Sequence, residues 1–393
     1  MNIPTISLNS KIKNFHTRQI FYSNEVNHLA PELLNPHGSA LVEQQGRLAL
    51  YSKHQLAAIR MTRISMESIN NHDIEYALRQ FLAQLQYDKQ QFYFVQQEEA
   101  FRLCHGDHDG LPGITIDCYN STTVVQSSSA ASDLLMPYVI QALVALMPDT
   151  AIFERSTGQI REIEKLGSIT QWQYLSGELT QTTLFAGKRI MFDLINGQKT
   201  GLFLDQRLNL IALRNYLHKE MTSMLDICSY MGAWSVAAAD FIDHFTLIDQ
   251  SKAALAMAKT NIEENHQNTS SIDIELEHGD IFETLKKLKA EQQYFDVVVA
   301  DPPAFAKSKK HIPEAKRAYQ RLFKLALSCL NKGGLFIACS CSRHIDETTF
   351  FEILQSLSYD LVLLHKGYSS PCHTQSIHVD YHDYLKCYIF KLR

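Results

Sequence analysis

From residue 223 onward, short apolar runs ending in an acid or a small polar residue alternate with amphipathic stretches. No other feature of the 393-residue chain constrains its fold as tightly. The runs "MLDICSY", "HFTLIDQ", "DIELEHGD", "FDVVVADPP" and "LFIACSCS" read as strand ends. Between them, "SVAAADFI", "SKAALAMAKTNIEENH", "IFETLKKLKAEQ" and "EAKRAYQRLFKLALSCLNKG" carry apolar residues at helical spacing. Strict alternation of this kind implies an α/β, doubly wound, mostly parallel, Rossmann-like sheet. "YDLVLLHKG" and "YLKCYIFKL" are expected to add outer strands. Open sheets of this class hold ligands beyond the carboxyl ends of their strands, so chemistry is sought at those ends.

Read in order, the ends form a series of carboxylates. Asp226 closes the first strand. The turn with Ser229, Tyr230 and Gly232 follows, and the glycine permits close approach of a ligand to the backbone. Asp249 closes the next strand some ~20 residues on, where an acid accepts hydrogen bonds from both ribose hydroxyls of a nucleoside. Asp280 comes next, with Ile281 as an apolar neighbour for a base ring, and Asp301 ends the fourth run. No G-x-G-x-x-G or G-x-x-x-x-G-K-[ST] is present, so a pyrophosphate finds no glycine cradle. A nucleoside carrying a cationic sulfonium suits the acids better, and S-adenosyl-L-methionine (SAM) is the expected cofactor. The plain alternative for any one acid is a cap on the following helix. Four strand ends in the expected order argue against it.

The fourth run ends in "ADPPAFAKSKKH". Proline cannot continue a ladder, so the strand stops there and Asp301, Pro302, Pro303 and Phe305 form a stiff tip. Such a tip serves two methylation chemistries. With an exocyclic amine, the acid and nearby carbonyls accept the amine's hydrogen bonds, an aromatic stacks on the base, and no thiol is needed. Carbon-5 of a pyrimidine instead requires a thiolate to add first at carbon-6. "LFIACSCSRHI" offers Cys341 just past a neighbouring strand end, with Cys339 as runner-up and Arg343 or His344 as aids to ionisation. After the tip, Lys307, Lys309, Lys310, Lys316 and Arg317 read as a phosphate-contacting loop, or else as a solvated helix entry.

Upstream, residues 1–72 hold short β-like pieces between turn signals and read as a small β-rich module. Residues 73–195 read as a central α+β domain, and 196–393 as the domain of the acid-ended strands. Hydrophobic residues at 45% and charged residues at 20% describe a globular chain. The formal net charge of -5 requires any nucleic-acid surface to be local. The eight cysteines have no metal-ligand spacing and the histidines of "CHGDHDG" no ligand set, so no metal is expected. No secretory signal pattern and no apolar run long enough for a bilayer are seen. A cytoplasmic setting with free thiols and no membrane partner is expected.

Longer stretches carry a family resemblance. "RLCHGDHDGLPGITIDCY", "FERSTGQIREIEKL", "NGQKTGLFLDQRLN", "DPPAFAKSK" and "SCS" together resemble the PUA-containing class I methyltransferases of large-subunit ribosomal RNA that make 5-methylcytosine. The resemblance implies an N-terminal PUA-like β-barrel, a middle α+β domain and a C-terminal SAM-dependent methyltransferase domain. It implies that Lys199 to Arg207 lie over the cofactor, with Phe203 stacking and Arg207 orienting a carboxylate. It implies ribosomal RNA as partner, Cys341 as nucleophile, and Asp301 contacting the cytosine. A homodimer is allowed. "FHTRQIFYSNEVNHL" lacks the proline of the family's opening, and Cys228 and Tyr230 stand where many methyltransferases have glycines. Ala304 occupies the position of a second cysteine in some cytosine-5 enzymes, so a one-cysteine enzyme is expected. Two rivals stay open: an amino-directed guanine or adenine RNA methyltransferase, and a catalytically weak RNA-binding assembly factor.

Overall fold

The computed structural model describes residues 3–9, 18–92, 99–267, 272–306, 308–379 and 384–393. The chain forms two compact units. One comprises residues 1–179, 193–202 and 371–381, the other 180–192, 203–370 and 382–393. Among the described residues no helix is long and apolar enough to cross a membrane.

The first unit holds two sheets. An antiparallel sheet runs Ile20–Phe21, Ile59–Ser65, Arg47–Ser52, Ser39–Gln44 in spatial order. Residues 4–9 bridge its Ser39–Gln44 edge at Thr5–Glu43 and meet the chain just past Ile20–Phe21 at Leu8–Val26. The second sheet keeps sequence order: Ala100–His105, Ile114–Tyr119, Thr122–Ser127, Ala151–Ser156 and Ile169–Tyr174. Its single parallel pair, Thr122–Ser127 with Ala151–Ser156, needs the crossover that the helix Met136–Leu146 supplies. That helix and Ile74–Phe92 bury apolar faces in the unit's core. Lys89 is wholly buried there, its ammonium donating to Asp109 (2.9 Å) and to the carbonyl of Cys372 (2.8 Å).

The second unit holds the two-stranded sheet Thr180–Phe185 with Lys188–Asp193 and a main sheet of seven strands: β1 (Ser223–Ile227), β2 (His244–Asp249), β3 (Asp273–His278), β4 (Phe295–Ala300), β5 (Leu330–Ser340), β6 (Leu361–Gly367) and β7 (Lys386–Leu392). Their spatial order is β3-β2-β1-β4-β5-β7-β6. The first five are parallel, and β7 runs antiparallel to both β5 and β6. The connecting helices are α1 (Arg207–Arg214), α2 (Ala233–Ala238), α3 (Lys252–Asn265), α4 (Ile281–Ala290), α5 (Ile312–Leu327) and α6 (Glu347–Gln355). With both faces of the sheet covered, central strands must be apolar throughout, and Val297 to Ala300 are fully buried. The expected alternation and the outer strands are both present.

Register sets the site. Ile227 lies opposite Ile248 on one side and Ala300 on the other, and Ala300 lies opposite Ala338. Asp249, Asp301 and the chain beyond Ser340 therefore leave the sheet at one edge. The order reverses beside β1, between β2 and β4, which is the topological switch where such sheets open a crevice.

The turn from β1 to α2 is tightly wound. Cys228, Tyr230 and Gly232 all have left-handed φ, at 63°, 50° and 76°. A Cβ on Gly232 would come 2.9 Å from the Cβ of Ala258 on α3. The glycine thus lets α2 seat against α3. Gly232→Ala should cost about 1–2 kcal/mol for the left-handed Cβ alone, with crowding added. Thermal unfolding should show a lowered transition; an unaltered one would contradict the packing role.

Candidate active site

Three carboxylates meet at the sheet edge. Asp226, at the end of β1, is 1% exposed. Its Oδ2 accepts from Ser235 Oγ at 2.7 Å, while Oδ1 is buried with no hydrogen-bond partner among the described residues. Burial pushes its carboxyl up to about 7; the Ser235 bond opposes this, and the charges of Asp301 and Asp249 add to it. Asp249 ends β2, half-buried, and anchors the turn: Oδ2 accepts from the amide of Tyr230 (3.0 Å) and Oδ1 from that of Ser251 (2.8 Å). Asp301 follows β4. Its Oδ2 accepts from Gln206 Nε2 (2.9 Å) and from the indole Nε1 of Trp234 (3.0 Å).

These groups fit a cationic nucleoside. The Asp226 carboxyl, whose proton affinity the neighbouring acids raise, is relieved by a positive charge. Among the described residues, two buried oxygens at this edge, Asp226 Oδ1 and Ser229 Oγ, have no hydrogen-bond partner. A buried polar atom left unsatisfied is costly, so such atoms mark where a ligand's donors belong. Phe203 meets Tyr230 edge to face, with ring centroids 5.2 Å apart, beside the same turn. Arg207, at the start of α1, is fully buried. Asp280 is exposed and caps α4, its Oδ1 accepting from the amides of Phe282 (2.9 Å) and Glu283 (3.1 Å). Ile281 is buried in the sheet's core cluster. Expected cofactor contacts by these two rest on their strand-end position.

Beyond the acids lie the tip and the thiol. Pro302 is buried, whereas Pro303 and Ala304 are exposed. The Cys341 thiol points to the carbonyl of Pro302, with Sγ 3.8 Å from its oxygen. Phe305 is half-buried and leans on Tyr319, with centroids 4.7 Å apart. Tyr319 in turn shares a 2.9 Å hydrogen bond with Ser340, the last residue of β5. After Cys341, the buried ammonium of Lys386 donates to the carbonyls of Ser342 (2.9 Å), Ile345 (2.6 Å) and Tyr384 (2.8 Å). That clamp fixes the loop leading away from the thiol. Lys309 and Lys310 are exposed in the short turn Lys309–His311. Lys307 lies outside the described residues.

The two candidate cysteines occupy different surroundings. Cys341 is partly exposed. Cys339 is fully buried opposite Cys387, and burial raises its thiol well above the usual range. A thiol that cannot ionise is a poor nucleophile.

Sequence reading missed four supporting residues. Trp234 and Ser235 are neighbours on α2 that serve Asp301 and Asp226 respectively. Gln206, inside the stretch "NGQKTGLFLDQRLN", serves Asp301 as well. Lys386 opens a strand that is otherwise largely apolar, and a lysine beside such residues is itself a signal, because a buried ammonium requires fixed acceptors.

Residues 218–377 match the family described as a methyltransferase domain. The chain is 32% identical over 327 residues to ribosomal RNA large subunit methyltransferase I of Escherichia coli, covering 81% of this chain and 80% of the relative. It is 35% identical over 266 residues to the protein of that name from Cronobacter sakazakii, covering 67% and 66%. The protein of that name from Pseudoalteromonas translucida is 32% identical over 316 residues, covering 79% and 78%. Among solved structures, a proposed methyltransferase complexed with S-adenosylhomocysteine (SAH) superposes with a TM-score of 0.76 at 21% identity, over 95% of each chain. A proposed SAM-dependent methyltransferase from Streptococcus mutans gives a TM-score of 0.74 at 21% identity, again over 95% of each. The structural likeness establishes the class I methyltransferase fold with its Rossmann-like sheet.

Asp226 provides a pH test. Its carboxyl is neutral below about 7 and ionised above. A cation binds the ionised form, so SAM affinity should strengthen as pH rises through about 7, with proton release on binding. Asp226→Asn should weaken binding about tenfold or more, the worth of a charge-assisted hydrogen bond, and abolish the proton release. Calorimetry in buffers of different ionisation enthalpy reads both. Wild-type affinity that does not change across this range would contradict the assignment.

Proposed function

The chain belongs to the ribosomal RNA large subunit methyltransferase I family and uses SAM, and on that premise we propose that it forms 5-methylcytosine in large-subunit ribosomal RNA. The observation that carries the cytosine-5 reading is the partly exposed Cys341 thiol beside the Asp301-Pro302 tip. An amino-directed enzyme has no use for a thiol at that place.

In this reading Asp226, Ser229, Tyr230 and Asp249, with Phe203 and Arg207, hold the cofactor. When bound, the cofactor supplies an electrophilic methyl group. Asp301, held by Trp234 and Gln206, accepts from the cytosine's amino group and orients the ring. Pro302 and Pro303 stiffen the tip, and the free part of Phe305 faces the flipped base, offsetting part of an unstacking cost of a few kcal/mol. The Cys341 thiolate adds to carbon-6, forming a C–S bond and moving an electron pair to carbon-5. Carbon-5 thereby becomes the nucleophile. Once carbon-5 carries the methyl group, loss of its proton returns the electron pair, and the C–S bond breaks to release the thiolate. Lys309 and the neighbouring basic residues contact phosphates. The N-terminal β-rich sheet acts as a PUA-like RNA-binding module, in a cytoplasmic protein.

The thiol step is trapped directly. Full-length protein with RNA carrying 5-fluorocytosine at the target should form a SAM-dependent covalent adduct, because fluorine blocks the last deprotonation. Cys341→Ala should abolish both adduct and turnover while SAM affinity stays nearly unchanged, and Cys339→Ala should still trap. Normal turnover by Cys341→Ala would reject the mechanism and leave amino-directed methylation by Asp301 in its place.

A further inference from the structure

Helices α4 and α5 carry positive charge out of keeping with a chain of net charge -5. Arg317, Arg321 and Lys324 follow one another on α5 at i, i+4 and i+7, which places them on one helix face. All three are exposed. With Lys286 of α4 and Gln320 they line an open groove of about 450 Å3. The Arg321 guanidinium lies over the ring of Phe282, 4.3 Å from its centroid, so one cation is braced against a flat wall. Lys286 has a local partner in Glu283 at 2.8 Å. Among the described residues, Arg317, Arg321 and Lys324 make no ion pair, and Glu314 is the sole acid of α5.

A solvated helix face usually interleaves acids with bases, which offset one another. Here like charges are left to repel, an arrangement that a polyanion would relieve. The chain also leads from the Asp301 tip through Lys309–His311 straight into α5. From Ile312 to Arg317 is roughly 8 Å along the helix at 1.5 Å per residue. From Arg317 to Lys324 is about 10 Å more, long enough to meet more than one phosphate of a single strand. Arginine grips phosphate with two parallel N–H donors and so fixes its position.

We propose that this groove is a phosphate track, which holds the sugar-phosphate backbone of the RNA beside the target nucleotide. The inference rests on the RNA-methylating reading above. It extends the RNA contact from the loop after the tip onto the shared face of α4 and α5, and it assigns Arg317, Arg321 and Lys324 to substrate affinity and not to chemistry.

The test uses the full chain, a large-subunit ribosomal RNA transcript and a salt series. The variant R317Q/R321Q/K324Q alters only exposed side chains, and its thermal transition is checked first. Its log Kd against log salt should flatten by about 2 to 3, at roughly 0.7–0.9 per lost phosphate contact. At fixed salt the RNA Kd and KM should rise about tenfold, with kcat at saturating RNA and the Kd for SAM unchanged. Should the triple variant be unstable, Arg317→Gln alone should lower the slope by about 0.7–0.9. A control of equal charge change, Lys219, Lys259 and Lys332 to Gln, should leave the slope intact. An unchanged slope and KM in the groove variant, with wild-type methylation normal, would overturn the track and leave the RNA methylation standing. Equal losses in both triple variants would overturn it too, because net charge alone would then account for the effect. Wild-type protein that binds the transcript through the groove yet never methylates it would sink the methylation reading and keep the track.

Discussion

One oxygen of Asp301 accepts from the Trp234 indole and from the Gln206 amide, and the second unit's chemistry is arranged around that convergence. Asp301 sits near two further acids at the edge of a parallel sheet, where its charge would be repelled without fixed donors. A hydrogen bond to a charged group is worth roughly 1.5–3 kcal/mol, enough to fix the carboxylate in one orientation. The donors are themselves placed by tight structure. Trp234 stands in the first turn of α2, and Gly232 lets that helix seat against Ala258. The next residue, Ser235, reaches Asp226. A single short helix thus tends two carboxylates, one beside the expected cofactor and one at the stiff tip. Asp226 keeps an unsatisfied oxygen, and its charge is resisted until a cation arrives.

The thiol obeys the same logic of environment over identity. Cys339 and Cys341 are two residues apart and share side-chain parity in an extended chain, yet one is sealed in the core opposite Cys387 and the other is partly exposed. What parts them is the end of β5. Ser340 is tied to Tyr319, and the loop beyond is clamped by the three carbonyl contacts of Lys386. Desolvation keeps the first thiol protonated, and the second is left at the mouth of the crevice beside Pro302.

Much of this was legible in the sequence because local pattern dictated it. Valines at 297 to 299 with prolines at 302 and 303 force a buried strand to stop, and alternation with helices forces parallel pairing. The acids at 226, 249 and 301 therefore had to fall at one edge. Long-range partners were not legible. Nothing local connects Gln206 to Asp301, 95 residues away, or Lys386 to the loop after Cys341. Position alone also left out structural duties: Gly232 lets a helix pack, and the Asp280 carboxylate caps one. The stretch 196–207, read as part of the C-terminal domain, is divided: residues 193–202 belong to the first compact unit, where Thr200 bonds Tyr119 at 2.9 Å. The α5 stripe was visible as sequence, but only the groove with Lys286 and the lack of acidic partners give it meaning.

The tip, the thiol and the acids all bear on which atom receives the methyl group. Full-length protein incubated with large-subunit ribosomal RNA and isotopically labelled SAM, followed by digestion to nucleosides and mass spectrometry, identifies that atom. The arrangement of Cys341 against the Asp301-Pro302 tip predicts label in 5-methylcytidine and in no other nucleoside. Label on an exocyclic nitrogen of cytidine, guanosine or adenosine would contradict it.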